Sequence, residues 1–571
     1  MNKKFILALL FSFIAFLVFS NYIFMQHYDI FAWKDTAYHG SQCARMYQVL
    51  KGDHSETFIE ALISEPSYTP LYYLVSAVVR LIAGYQYVFM TSSLFLILLL
   101  YGAYKIGEYV KDSATGLLSA VIIGLYPIIY ASSRVLDLEL AQTAMSVWIF
   151  YFLIRNNKFY SLAYALFFGV LMAAALLVKQ SIVFFAVGPL CAVFCYFLGP
   201  AATNKVRLKN LFIALSVAMV LAVLIYYRRY LMHPADLTND SGVGRLFMGN
   251  EENLKVANPY HPRYLIFHLL ALKKYHIGAA NIVFFIIALF YFIRCHKDRR
   301  QKQLFLLWFG VPLIIFTVIT SRFFQYTIPC VPFLGIVTAV GFSYMRPRFL
   351  KRTLISVFVI WNAFMFIRYN DVLFPGTENF IMGSRAGWQI RRYMEIDCGV
   401  FPQKKMNPFY AAAAYLNEAG RGKDYSVGII YYPTDDIPPQ AGFYLAMLLQ
   451  LHNTRAMVMD LIRYWPWDSF PHCDFFVFVR SVNRKEKWID YDAFSRDIVE
   501  ANKLNFHCSE KFVMVDKINM STNGVTYISR KMLKNLVDCL PKFKLAEVIS
   551  GNDKEVLIYS NVRERARRNK I

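Results

Sequence analysis

Apolar residues come in long blocks along most of this chain, separated by short polar connections. The first block, Phe5 to Met25, runs about 20 residues without a charge, the length at which a helix crosses a bilayer. Further blocks predict crossing helices over 86–104, 114–131, 138–154, 159–178, 181–198, 209–227, 277–293, 303–320, 324–344 and 353–369. The sum is about eleven spans, with the N-terminus inside. Asn2-Lys3-Lys4 gives the first block a positive start, as in a signal peptide. The run is too long for one and lacks a small-residue cleavage site, so it reads as a retained anchor. After Tyr369 the blocks end. Polar loops, prolines and short alternating segments take over, and no run is long enough to span.

The connections test the count. Those expected inside carry Lys105 and Lys111; Arg155 and Lys158; Lys205, Arg207 and Lys209; Arg294 to Lys302; and Arg346 to Arg352. Each is basic, as the positive-inside rule requires. The pattern holds only if 70–84 lies at the interface without crossing. Arg228-Arg229, on the outer side, violates the rule. The same arithmetic explains much of the +23 net charge, because anionic headgroups attract juxtamembrane cations. No nucleic-acid module is recognisable, so nucleic acid is not an expected partner.

Two parts emerge: a transmembrane domain, 1–370, with outer loops 26–85 and 228–276, and a soluble α/β domain, 371–571, on the outer face. In the second part strands are predicted over Tyr425–Tyr431, Asp474–Val479, Phe512–Val515 and Val556–Tyr559, with helices near 407–419, 441–451 and 489–503. In the second outer loop, Leu265, Leu269 and Leu272 share one face of an amphipathic helix over Pro262 to Lys274, expected to lie flat in the interface. The nine cysteines show no zinc spacing. Cys43, Cys398, Cys473, Cys508 and Cys539 face outward, where disulfides are allowed. No internal repeat of the transporter kind is visible.

Candidate chemistry gathers at the outer helix ends. Asp35, followed by His39, heads the first outer loop and stands as N-cap or functional carboxylate of a helix over Thr36 to Lys51. Asp53 and Glu65 are weaker candidates, better read as solvated loop charges. In Ser132-Ser133-Arg134-Val135-Leu136-Asp137-Leu138-Glu139, Asp137 sits where a helix re-enters the membrane and Glu139 lies inside the apolar run. A charge there is costly and usually functional, although Arg134 stands close enough to neutralise it. Lys179 ends an apolar stretch at an outward hairpin, against the positive-inside bias. Arg322 repeats the theme four residues before Tyr326. Carboxylates suit a general base or metal ligands, and cations suit a phosphate leaving group.

With those residues in view, the chain resembles the multi-spanning glycosyltransferases of the C superfamily, in the branch of protein O-mannosyltransferases and the lipid A aminoarabinose transferase. Four stretches carry the resemblance: Asp35 to Asp53 followed by Pro70-Leu71-Tyr72-Tyr73; Arg134 to Leu140; Leu176 to Lys179; and Arg322 to Leu334, with Tyr326, Pro329 and Pro332. It covers about residues 1–370. It implies a mainly α, polytopic membrane fold with an exoplasmic active site and a polyprenyl-phosphate sugar as donor. The acceptor would be a lipid, a glycan or a protein. Under that resemblance Asp35 and Asp137 are the catalytic carboxylates, and Lys179 and Arg322 face the donor phosphate. Glu139, His39, Arg134 and Tyr326 are further substrate or metal contacts. The resemblance fixes no cofactor; a divalent metal (Mg or Mn) on Asp35, Asp137 and Glu139 stays open. Two departures stand out. The family often has Asp-Glu where this chain has Asp35-Thr36. The Glu-Lys-Pro of the aminoarabinose enzymes reads Glu65-Pro66-Ser67-Tyr68-Thr69-Pro70 here, without the lysine.

A multi-spanning transporter or lipid flippase is the alternative, since it too needs intramembrane charges. The large first outer loop and the outer domain favour the transferase. A membrane-anchored receptor would not need so many spans. The expected location is the bacterial inner membrane, with the active site and C-terminal domain facing the periplasm.

Overall fold

The computed structural model describes residues 2–29, 34–52, 57–63, 70–84, 87–200, 202–232, 266–318 and 324–368, and short segments beyond 402. Two compact units emerge, one of 1–27 and 46–398 and one of 28–45 and 399–571.

The first unit is helical. Its helices are α1 (Lys3–His27), α2 (Lys34–Lys51, whose last turns belong here), α3 (Phe58–Ile63), α4 (Leu71–Ala83), α5 (Met90–Val110), α6 (Ser113–Gly124), α7 (Pro127–Ser132) and α8 (Leu138–Ile154). Then come α9 (Leu162–Leu176), α10 (Ile182–Phe197), α11 (Ala202–Met232), α12 (Phe267–Ala271), α13 (Ala279–Cys295), α14 (Arg299–Val318), α15 (Val331–Tyr344) and α16 (Arg348–Arg368). The apolar blocks foreseen as spans fall on helical segments, but 114–131 is split between α6 and α7, and 324–344 opens with a 3₁₀ segment, Phe324–Cys330. Among the described residues, five helical segments are long and apolar enough to cross a bilayer, and further apolar helices run 10–17 residues.

Helix α4 has 13 residues, too short to cross. It buries Tyr72, Tyr73, Ser76, Ala77 and Arg80 and exposes Leu81 and Ile82, the two-faced pattern of an interfacial helix. The buried Arg80 guanidinium lies 3.9 Å above the Tyr47 ring, so its charge is held by an aromatic face.

The packing uses small residues and paired amides, as expected where lipid gives helices no hydrophobic drive to associate. Asn281 on α13 and Asn362 on α16 exchange amide hydrogen bonds of 2.7 and 2.9 Å. The Trp308 indole on α14 stacks on Phe150 of α8 at 4.1 Å and donates to Ser146 Oγ at 3.0 Å. Helix α15 is buried almost throughout. It meets α13 at Gly341, where a Cβ would lie 2.0 Å from the Ala288 carbonyl oxygen. Backbone cannot give way there as a side chain can. Gly341→Ala is therefore expected to cost about 1–3 kcal/mol, the range for overpacking a filled interior. A thermal-unfolding midpoint in detergent equal to wild type would mean that α13 and α15 separate freely.

The amphipathic helix of the second outer loop differs from expectation. Residues 262–265 lie outside the described ones, and α12 passes after Ala271 into a π-helical turn, Leu272–His276. The extra residue in that turn shifts the helical phase. Leu269 is exposed while Leu272 is buried, so the two do not share a lipid-facing stripe.

In the second unit, β1 (Tyr28–Asp29) pairs antiparallel with β2 (Gln403–Lys404). The strands β3 (Tyr425–Tyr431), β4 (Ala456–Asp460), β5 (Phe475–Ser481), β8 (Phe543–Gly551) and β9 (Lys554–Asn561) form one sheet in the order β4-β3-β5-β9-β8. β3 runs parallel to β4 and β5, while β9 runs antiparallel to β5 and β8. A parallel pair needs a long crossover connection, which the intervals between β3, β4 and β5 allow. A separate pair joins β6 (Met514–Val515) to β7 (Ile528–Ser529). Of the helices foreseen here, the one near 407–419 has 412–416 helical; 441–451 and 489–503 lie outside the described residues. So do Cys398, Cys473, Cys508 and Cys539.

Candidate active site

Three turns meet at one end of the helical unit. Between α7 and α8 the chain leaves helix at Ser133 and re-enters at Leu138, with Asp137 as N-cap. Asp137 has an extended backbone, and its Oδ1 accepts the Glu139 N–H at 3.0 Å. That bond satisfies a donor that the first helical turn cannot. The cap turns the chain so that Glu139, in the first turn of α8, is buried.

The second turn links α9 and α10. Its Lys179 ammonium forms an ion pair with the Glu139 carboxylate, 40 residues away in sequence. Ser181, two residues on, accepts from Gln142 Nε2 at 2.9 Å, fixing the same hairpin to α8 a second time. The third turn is the 3₁₀ segment Phe324–Cys330 before α15. There the Tyr326 ring lies 6.0 Å from the Lys179 ammonium and stacks on Phe316 at 5.5 Å. Phe185, Phe316 and Cys330 make a buried apolar floor under that ring.

Charge in this place is balanced unevenly. Burial works against the Lys179 ammonium, but the Glu139 carboxylate more than offsets it and holds the lysine above its ordinary value. Burial, and then the same Glu139, push the Asp137 carboxyl well above the usual carboxylate range. Two carboxyls beside one cation cannot both ionise cheaply. Asp137 is thereby biased toward holding a proton.

Arg134 is almost wholly buried beside this turn. Its Nε donates to Asn21 Oδ1 on α1 at 3.2 Å, and its guanidinium lies 4.6 Å from the Phe24 ring centre and 5.4 Å from that of Tyr130. Sequence alone offers Arg134 as the neutraliser of Asp137 and Glu139. In the fold the cation beside Glu139 is Lys179, and Arg134 is engaged by α1.

Helix α2 begins at Lys34, which makes Asp35 its second residue, two positions past the cap expected for it. A carboxylate there still suits the positive end of the helix dipole. The Asp35 side chain lies outside the described residues, as do Arg322, Asp53 and Glu65; His39 is buried. Among the described residues no group of three His, Cys, Asp or Glu stands close enough to hold a metal. The two carboxylates that do meet share Lys179, a poor donor set for a divalent ion.

Of the residues singled out in sequence, the fold brings Asp137, Glu139, Lys179 and Tyr326 together at these turns; Gln142 and Ser181 join them and were passed over. A glutamine inside an apolar helix was the available signal.

No protein-family model matches the chain, and no curated protein matches it either. Among solved structures it is similar to ArnT from Cupriavidus metallidurans, a lipid A aminoarabinose transferase, bound to undecaprenyl phosphate. The identity is 13%, the TM-score 0.60, and the match covers 98% of each chain. The apo form of the same protein gives 12% identity and a TM-score of 0.58, again over 98% of each chain. At these identities the likeness is one of fold alone.

Proposed function

We propose that this integral membrane protein is a glycosyltransferase that moves a sugar from a polyprenyl-phosphate carrier to an acceptor hydroxyl on the outer side of the membrane. The observation that carries the reading is the Glu139–Lys179 ion pair beside Asp137, buried at converging helix ends. A membrane helix retains such charges at a cost of a few kcal/mol unless they have a use. The shared fold with a protein that binds undecaprenyl phosphate supports the choice of donor.

In this reading the acceptor oxygen attacks the anomeric carbon as Asp35 takes its proton. The bond from that carbon to the phosphate oxygen breaks, and the electron pair leaves with the phosphate. Lys179 and Arg322 stabilise the negative charge that grows there. Glu139 keeps the ammonium charged and fixed. It occupies some of the three lysine donors and leaves the rest for phosphate oxygens. Asp137 caps α8 and offers its acid proton to the donor's oxygens. Attack opposite the leaving group inverts the anomeric configuration. The missing lysine after Glu65 argues against aminoarabinose as the sugar.

The direct test is transfer by the purified protein from polyprenyl-phosphate sugars, with mass spectrometry of lipid, protein and glycan acceptors. Sugar-dependent flux across proteoliposomes without covalent product would replace this reading by a transporter.

Orientation is part of the proposal: residues 371–571 form an α/β domain in the periplasm, and Arg294 to Lys302 face the cytoplasm of a bacterial inner membrane. An impermeant thiol reagent on intact cells should label Asp553→Cys and spare Lys297→Cys. Labelling of Lys297→Cys alone inverts the topology.

A further inference from the structure

The loop that carries Asp137 and the hairpin that carries Lys179 are fastened to the same turn of a third helix. At the start of α4 the Leu71 N–H donates to the Leu177 carbonyl at 2.9 Å, two residues before Lys179. The next residue, Tyr72, brings its hydroxyl to 2.9 Å from Ser92 Oγ on α5. Ser92 Oγ in turn donates to the Val135 carbonyl at 2.5 Å, two residues before Asp137. Because Ser92 spends its single proton on Val135, the Tyr72 hydroxyl must be the donor to Ser92. The relay therefore runs in one direction, from Tyr72 through Ser92 to the loop. All three residues are buried, and the Tyr72 ring is held independently by stacking on Phe95 at 5.7 Å.

The loop has a second anchor. Asn21 of α1 donates to Ser133 Oγ at 2.8 Å and accepts from Arg134. That anchor grips residues 133 and 134, whereas the relay is the hold seen nearest to Asp137. A carbonyl that leaves helix between α7 and α8 has no intrahelical donor, so the hydroxyl relay supplies what the backbone cannot.

We infer that Tyr72 is a positioning residue: its hydroxyl, beside the Leu71 amide, registers the Asp137 loop against the Lys179 hairpin from one helical turn. The inference rests on the glycosyltransferase reading for what the register serves. Helix α4 is the last helix of the first outer loop, so the same turn also ties that loop's return to both halves of the site. The phenolic ring is packing, and the hydroxyl is alignment. Those two roles separate experimentally.

The test uses the full-length protein in detergent, comparing wild type with Tyr72→Phe and with Ser92→Ala, which breaks the relay from its other side. Three quantities are read: kcat and KM for a polyprenyl-phosphate sugar, the thermal midpoint, and hydrogen exchange at the Glu139 amide. That amide is held by Asp137 Oδ1, so its protection reports whether the cap is still in place. Loss of alignment should lower kcat about tenfold in either variant, the scale of one buried hydrogen bond. The KM should stay within about twofold, the midpoint should stay near wild type, and Glu139 should exchange faster. Unchanged kcat and unchanged protection in both variants overturn the inference. So does a kcat loss that merely follows the loss of folded protein. If wild-type protein transfers no sugar, the functional reading fails. The exchange measurement then decides the positioning role alone: faster exchange upholds it and unchanged exchange removes it.

Discussion

Replacing Lys179 by Met is expected to remove most activity and to weaken the fold, and adding Glu139→Leu should recover only the fold. The single variant strips the cation from a buried pair and strands the Glu139 carboxylate. Breaking a buried pair in this way costs about 3–5 kcal/mol, because the remaining charge keeps its desolvation penalty and loses its compensation. Replacing both partners by apolar residues of similar volume is often neutral or stabilising. The double variant should therefore unfold near the wild-type temperature. Activity should behave differently. If the ammonium contacts the donor phosphate, both variants lack that charge-assisted bond. Donor affinity and turnover should then fall about 10- to 150-fold in each. The measurement is a thermal midpoint together with the apparent affinity for polyprenyl phosphate in detergent. A double variant that regains both stability and donor affinity would reduce Lys179 to a structural counter-ion for Glu139. The transferase reading would then stand on the carboxylates alone.

How much of this was legible in the sequence follows from which forces leave a local trace. A bilayer demands long apolar helices, so the apolar blocks announce themselves and fall on helical segments, although 114–131 breaks into α6 and α7. Glu139 stood out as a charge inside such a block, and Lys179 as a cation at an outward hairpin against the positive-inside bias. Their pairing did not, because 40 residues separate them and only the packing of α8 against the α9–α10 hairpin brings them together. Arg134 misled as a neutraliser because adjacency in sequence is not adjacency in space; it turns toward Asn21 on α1. The relay through Tyr72 and Ser92 was invisible, since neutral hydroxyls in apolar helices are common and carry no charge anomaly.

The second unit divides along similar lines. Strands β3 and β5 are short segments rich in aromatic and β-branched residues, and they were read within two residues of their ends. Strand β8 was missed. A register shift between Leu545 and Glu547 breaks the alternation that would mark it. Strand β4 is five residues long, with two methionines, a residue type that favours helix over strand.

The other large effect is expected at Asp35. Asp35→Asn should lower turnover at least about a hundredfold, the scale of a lost general base, with protein level and thermal midpoint unchanged. The substitution is chosen for what it keeps. Asparagine has the shape of aspartate and retains an oxygen for the first turn of α2, where the fold puts residue 35. What it loses is the ability to take a proton. A helix-dipole role for the carboxylate would be worth about 0.3–1 kcal/mol and would appear in stability. A base role appears in rate and leaves stability alone. The pH dependence adds a second handle. With Asp35 as base, wild-type turnover should rise with pH as the carboxyl ionises and then level off. The asparagine variant should lack that rising limb. Purified Asp35→Asn protein with near-normal turnover and an unaltered pH profile would leave the residue as a first-turn charge. The base would then have to be another group, since burial and Glu139 bias Asp137 toward holding its proton.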